Sequence, residues 1–233
     1  MQLSVKDAAT LLKVSDETIY KWIRQDDFPS CVINEQVRFN RAELLEWATA
    51  HNIAVSPDLF SVEEGVKSCL PTLTDALRAG GVAYGVGGSD QPSVLQAVVR
   101  LLKVPTTVDR NFLYQVLLAR ESLGSTGIGN GIAIPHVRNP VVLHVSQPSV
   151  TLCFLENPID FKALDGKPVH ILFTMISPTV RIHLHLLSRL GFMLRDPAVL
   201  DALQRRASAD ELLSLMAESE SAINRVSEET KLP

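Results

Sequence analysis

The sequence predicts an α/β protein in two parts, a small N-terminal helical unit with a two-strand wing and a larger layered α/β domain. Three observations carry that expectation: two short helical periods divided by a tight turn near the N-terminus, an irregular stretch over residues 52–71, and beyond it helical segments alternating with strand-length apolar runs. At 233 residues, 46% hydrophobic and 21% charged, the chain has the composition of an ordinary soluble globular protein with one or two cores.

Leu3 and Ser4 enter a first helix whose apolar positions are Ala8, Leu11 and Leu12, and Val14 and Ser15 lead into a second over residues 16–24, with Ile19 and Ile23 on one face. Residues 31–33 and 37–39 flank Asn34, Glu35 and Gln36 as two short strands about a turn, and helical periodicity resumes over 41–50 through Leu44, Leu45, Trp47 and Ala48. Residues 1–51 are thus expected to form a winged helix-turn-helix. The stretch 52–71, with Pro57, Pro71, Ser56, Ser61 and the pair Glu63-Glu64, reads as a linker with room for one short helix. Helices are expected over 92–102, 110–121, 183–194, 198–204 and 209–217, and strands over 131–134, 150–154 and 169–176. The second domain therefore covers 72–218, and the polar residues 219–233 read as a frayed tail.

A formal net charge of −4 supplies no general basic field, so any nucleic-acid contact has to come from a local patch. The cysteines Cys31, Cys69 and Cys153 are far apart and form no CxxC pair, which fits a reducing compartment and argues against structural zinc. The N-terminal residues carry charge where a signal peptide needs an apolar core, and no run is long enough to span a bilayer. A cytoplasmic protein without membrane contact is expected.

Four of the 12 glycines, Gly124, Gly127, Gly129 and Gly131, fall within eight residues and are interleaved with Ser125, Thr126 and Asn130. Glycines allow successive N–H groups to converge, and hydroxyl and amide groups add donors, so this segment is expected to cradle an anion, with Thr126 and Asn130 on a phosphate. It lacks the Gly-Lys-Ser/Thr ending of a nucleotide loop and feeds a strand rather than a helix, which argues against ATP. Pro135 stops the strand, and His136 follows where side chains project into a crevice. A free imidazole, with an unperturbed pKa near ~6.5, is largely neutral near pH 7, so a ring nitrogen can attack phosphorus without a separate base. On position alone, a histidine that merely caps the strand is an equal alternative.

Leu118-Ala119-Arg120-Glu121-Ser122, the glycine segment, and Gly131-Ile132-Ala133-Ile134-Pro135-His136 resemble the signature of enzyme IIA domains of the phosphoenolpyruvate-dependent phosphotransferase system, fructose/mannitol type, nitrogen-regulatory (PtsN-like) branch. The resemblance runs over about residues 72–218. It implies a layered fold with a mixed central sheet, and His136 as the phosphoryl acceptor. It implies that Arg120 holds the phosphoryl oxygens, a task suited to a permanently charged fork of donors. In His183-Leu184-His185-Leu186-Leu187 it places His183 beside His136. Two histidines spaced by two on a helix face different sides, so His185 is expected at the surface. No third ligand is spaced to join His136 and His183, so neither metal nor cofactor is expected. His51, His144 and His170 have no distinguishing spacing.

Residues 3–15, Thr18-Ile19-Tyr20-Lys21-Trp22-Ile23-Arg24, Phe28-Pro29 and Val37-Arg38-Phe39 are similar to excisionase/MerR-type winged helix-turn-helix domains. That resemblance implies Thr18, Lys21 and Arg24 on the DNA-reading helix and Arg38 on the wing. Residues 1–60, however, hold six basic side chains against nine acidic ones, a net of −3, and Asp16 and Glu17 occupy the first turn of the reading helix. DNA binding on one side, and a protein-interaction or purely structural role on the other, are therefore equal expectations. The functional expectation is a phosphotransferase, a cytosolic phosphocarrier and regulator loaded on His136 by an HPr-like protein. The alternatives are a transport enzyme IIA that passes phosphate to an enzyme IIB, and a transcriptional regulator gated by His136 phosphorylation.

Overall fold

A computed structural model of the chain describes residues 2–24, 28–33, 36–51, 53, 70–137, 140–143 and 145–229. Ser4 begins α1 (Val5–Leu12) with a capping box: its hydroxyl accepts from the Asp7 amide at 3.2 Å, and the Asp7 carboxylate accepts from the Ser4 amide at 2.9 Å. Ser15 caps α2 (Asp16–Ile23). Strands β2 (Cys31–Ile33) and β3 (Gln36–Asn40) form the expected antiparallel wing, followed by α3 (Arg41–Ala50). The two N-terminal residues of β1 (Gln2–Leu3) add to the other edge of β3, Leu3 opposite Phe39, so the sheet order is β1-β3-β2. Leu11, Leu12, Ile19, Phe28, Phe39, Leu44 and Leu45 meet in one core.

The larger domain begins with two elements beyond the expected set, α4 (Leu73–Gly80) and β4 (Gly81–Val86), followed by α5 (Gln91–Leu101) and α6 (Arg110–Ser122). The chain then forms β5 (Gly127–Gly129), β6 (Ile132–Ala133), a short 3₁₀ turn over Pro140–Leu143, β7 (Ser149–Ile159) and β8 (Val169–Ile176). Helices α7 (Val180–Met193), α8 (Pro197–Gln204) and α9 (Ala209–Glu229) complete the domain. The sheet order is β4-β7-β8-β6-β5. It is mixed: β4 with β7 and β6 with β8 are parallel, β7 with β8 and β5 with β6 antiparallel. Both faces are covered, one by α4, α7, α8 and α9 and the other by α5 and α6, which accounts for the nearly unbroken apolar runs of β7 and β8.

Three expectations are corrected. The strand expected over 131–134 pairs only at Ile132 and Ala133, and the glycine segment before it is partly a strand itself. Helix α7 starts at Val180, where Thr179 caps it, and not at His183. The stretch expected to fray from residue 219 continues α9 to Glu229, with Ser219 and Glu220 buried. Of the expected linker, residues 52 and 54–69 lie outside the described residues, as do Asn34, Glu35, Cys69 and His144.

Candidate functional site

His136 stands one residue past Pro135, where β6 has ended. The Pro135 carbonyl accepts from the Met175 amide at 3.0 Å, and His136 forms an isolated parallel bridge with Met175, so the backbone is held against β8 without a full strand. The side chain is buried, and its Nδ1 lies 2.7 Å from the Ile134 carbonyl oxygen. A carbonyl only accepts, so Nδ1 carries the ring proton and the lone pair is on Nε2.

Behind this histidine runs a chain of hydrogen bonds that begins at Glu121, a residue for which the sequence alone indicates no role. Its carboxylate accepts from the Thr126 amide at 3.0 Å, from the Thr126 hydroxyl, and from Gln91 Nε2 at 3.0 Å. The Thr126 carbonyl accepts from the Ile134 amide at 3.0 Å, and the Ile134 carbonyl holds His136. Burial pushes the Glu121 carboxyl above the ordinary glutamate range, against the opposing pull of the Thr126 hydrogen bonds and the Arg120 charge.

This chain changes the expectation for the glycine segment. Thr126 lines the site, but its amide and hydroxyl protons are given to Glu121. The Gly124 amide donates to the Glu121 carbonyl, the Gly127 amide to the Ser125 hydroxyl, and the Asn130 amide to the Asp165 carboxylate. These N–H groups therefore do not converge on an anion. Asn130 is exposed at the β5–β6 turn, its carbonyl accepting from Gln204, and lies on a different cavity from that of His136. Gly127 and Gly131 serve close packing instead: a Cβ at Gly127 would stand 2.7 Å from that of Ala163, and one at Gly131, which has φ of 73°, would overlap the His170 ring.

Arg120 and His183 are brought to His136. The His183 ring, buried in the first turn of α7, lies 5.0 Å from the His136 ring between centroids and is tilted by 39°. Arg120, in the last turn of α6, donates from Nη1 to the Gly124 carbonyl at 2.9 Å, and with His136 it lines a cavity of about 540 Å³. Leu123 and Leu164, 67% and 55% exposed, supply an apolar rim. His185 does face away from His136, but it is buried and not at the surface: its Nε2 is 3.1 Å from the Pro71 carbonyl oxygen, because α4 and its approach cover that side of α7. Burial also pushes the Cys153 thiol up to about 12, which leaves it inert.

The winged unit is packed onto this same region. Pro29, Glu43, Trp47, Thr49 and His51 form the opposite wall of the cavity. Of its expected DNA contacts, Lys21 on α2 and Arg24 just past its end are exposed, but Thr18 is half-buried and tied into the helix cap through Ser15, at 3.0 Å between hydroxyl oxygens. Arg38 is half-buried on β3. Among the described residues, no three His, Cys, Asp or Glu side chains group as a metal site, and no helix is long and apolar enough to cross a membrane.

A ring nitrogen fixed as lone-pair donor, with a second histidine and a guanidinium alongside it, is the equipment of a group carrier; the class here is the phosphoryl carriers. Residues 77–219 match the family described as "Phosphoenolpyruvate-dependent sugar phosphotransferase system, EIIA 2", and the chain belongs to that family. Residues 3–52 match the family described as "Helix-turn-helix domain". A nitrogen regulatory protein of Pseudomonas aeruginosa is 35% identical over 150 residues, 63% of this chain and 95% of its own length. A nitrogen regulatory protein homolog of Haemophilus influenzae is 30% identical, over 67% of this chain and 99% of its own. The crystal structure of nitrogen regulatory protein IIA-Ntr from Neisseria meningitidis aligns with a TM-score of 0.54 and 27% identity, over 62% of this chain and 98% of that one. About a third of this chain thus lies outside each match.

Proposed function

We propose that the protein is a cytoplasmic phosphocarrier and regulator that takes a phosphoryl group onto Nε2 of His136 from an HPr-like phosphohistidine donor. The observation that carries this reading is the 2.7 Å contact between Nδ1 and the Ile134 carbonyl, which keeps the proton on one nitrogen and the nucleophilic pair on the other. In the transfer, an Nε2–P bond forms as the N–P bond of the donor breaks. The pair of the broken bond returns to the donor ring, which leaves as neutral imidazole, while His136 keeps its Nδ1 proton and becomes the phosphoimidazolium; no net proton is moved. Arg120 and His183 meet the phosphoryl oxygens, and Glu121 positions His136 through Thr126 and Ile134.

Phosphorus NMR after incubation with a phosphorylated HPr-type protein is expected to show Nε2-phosphohistidine in the wild type and none in His136→Ala. Signal of equal strength in the variant, or on Nδ1, overturns the assignment. A second reading, transfer onward to an enzyme IIB, is favoured by the sugar phosphotransferase family match and is decided by loading of a IIB cysteine. A DNA-binding output is favoured by the exposed Tyr20, Lys21 and Arg24 of the α2 region, and a gel shift whose strength falls steeply with salt is its test.

A further inference from the structure

The face that carries His136 is already occupied by the chain's own N-terminal unit, and two residues of α7 are fitted to that occupancy. Leu184 is 5% exposed and belongs to the core of the winged unit, not to the core beneath the sheet. Gly191 is a glycine inside a helix, a choice that costs about 1 kcal/mol relative to alanine. A Cβ at Gly191 would lie 3.3 Å from Thr49 Cγ2, and its three nearest atoms all belong to Thr49 of α3. Helix α3 therefore lies close on α7 where a larger side chain would hold it off. Beneath this contact His136 is 3% exposed, at the floor of the cavity of about 540 Å³ whose opposite wall is the winged unit.

We propose that the winged unit is a displaceable lid on the phosphoryl-acceptor site, competing with the incoming phosphoryl-donor protein for one face of the α/β domain. The inference rests on the reading of His136 as acceptor. A protein donor has to bring its phosphorus to within about 3 to 3.5 Å of Nε2. A cavity of this size admits a small anion, but the surface of a second protein reaches Nε2 only when α3 has moved away. Charge gives the competition a direction. Glu43 stands on the lid wall, and residues 1–60 carry a net −3. A phosphoryl group adds about −1.5 to −2 to the opposite wall. Arg120 lines the same cavity from the α/β side. His51, the lid's other titratable group at the cavity, is stacked on Trp47 at 4.2 Å, with its Nδ1 2.9 Å from the Trp47 carbonyl oxygen. Phosphorylation and closure therefore oppose each other, and by linkage each weakens the other equally. Closure uses α3 and leaves Tyr20, Lys21 and Arg24 of the α2 region exposed, so the lid keeps a second face available while it covers His136.

The full chain carrying Thr49→Cys and Gly191→Cys tests this. The separation from the Gly191 Cβ position to Thr49 Cβ is 3.9 Å, inside the range of about 3.5 to 4.5 Å that a disulfide needs. With a phosphorylated HPr-type donor, the oxidised double variant is expected to be labelled at least about tenfold more slowly than the same sample after reduction, since the competent fraction sets the apparent affinity. Oxidised and reduced wild type are expected to label alike. Equal rates for locked and reduced double variant overturn the lid while leaving His136 as acceptor, and so does failure of the disulfide to form. Absence of label in the wild type overturns the acceptor reading, and the lid with it.

Discussion

Enclosure by α4 and its approach gives His185 an environment unlike that of its neighbour two residues earlier. Burial lowers its pKa to about 4, with the Arg189 charge acting in the same direction and the Pro71 carbonyl and Glu220 opposing. The folded chain thus keeps this ring neutral where the unfolded chain, near the ordinary 6.5, takes up a proton. Stability is fully present above about pH 6.5, falls as pH drops towards 4, and has lost about 3 kcal/mol from this group below that. His185→Gln is expected to flatten the slope of unfolding free energy against pH in urea titrations between pH 4 and 6.5; an unchanged slope places the proton uptake elsewhere. At this scale His136 was legible because proline, glycine and histidine each have a narrow set of uses and here they fall in series. Glu121 and His185 were not, because a buried carboxylate and a buried imidazole look in sequence like surface residues until their partners, Thr126 and Pro71, are placed in space.

The carboxylate of Glu220, on α9, accepts from the Leu73 and Thr74 amides at 2.6 and 2.9 Å and from the Thr74 hydroxyl at 2.7 Å. One helix thereby satisfies the open N-terminal donors of another, and the negative charge meets the positive end of the α4 dipole. Glu220→Ala is expected to cost about 2 to 4 kcal/mol, since it strands buried donors, and Glu220→Gln less, since one oxygen remains. Urea denaturation of the two variants measures the order, and a cost for Ala no greater than for Gln removes this account. The helices and strands with long apolar periods, α5 to α8, β7 and β8, were legible for that reason. Helix α9 beyond residue 218 was not: its inward side there is Ser219 and Glu220, which show no apolar period, and the partner of Glu220 is 146 residues away. Strand β4 was hidden by its glycines, since as an edge strand only partly covered it needs few large apolar side chains.

Considered whole, the molecule has both of its tryptophans, Trp22 and Trp47, in the winged unit, so intrinsic fluorescence follows that unit while ellipticity follows mainly the larger domain. Leu184→Ala removes an α7 side chain from the winged core and is expected to lower the stability seen by fluorescence by about 2 to 3 kcal/mol, with a smaller shift by ellipticity. Equal shifts by both probes tie Leu184 to the larger domain instead. The two-part organisation was legible from the change in pattern along the chain, but the contact between the parts was not. A helical leucine reads as core whichever core it joins, and Gly191 reads as a weak helix residue until Thr49 is seen against it. Because the proposed lid is part of the same polypeptide as His136, its open and closed populations are related by a first-order equilibrium. Their ratio is the same in a cell that makes few copies as in one that makes many, so under this proposal access to His136 is independent of the protein's own abundance.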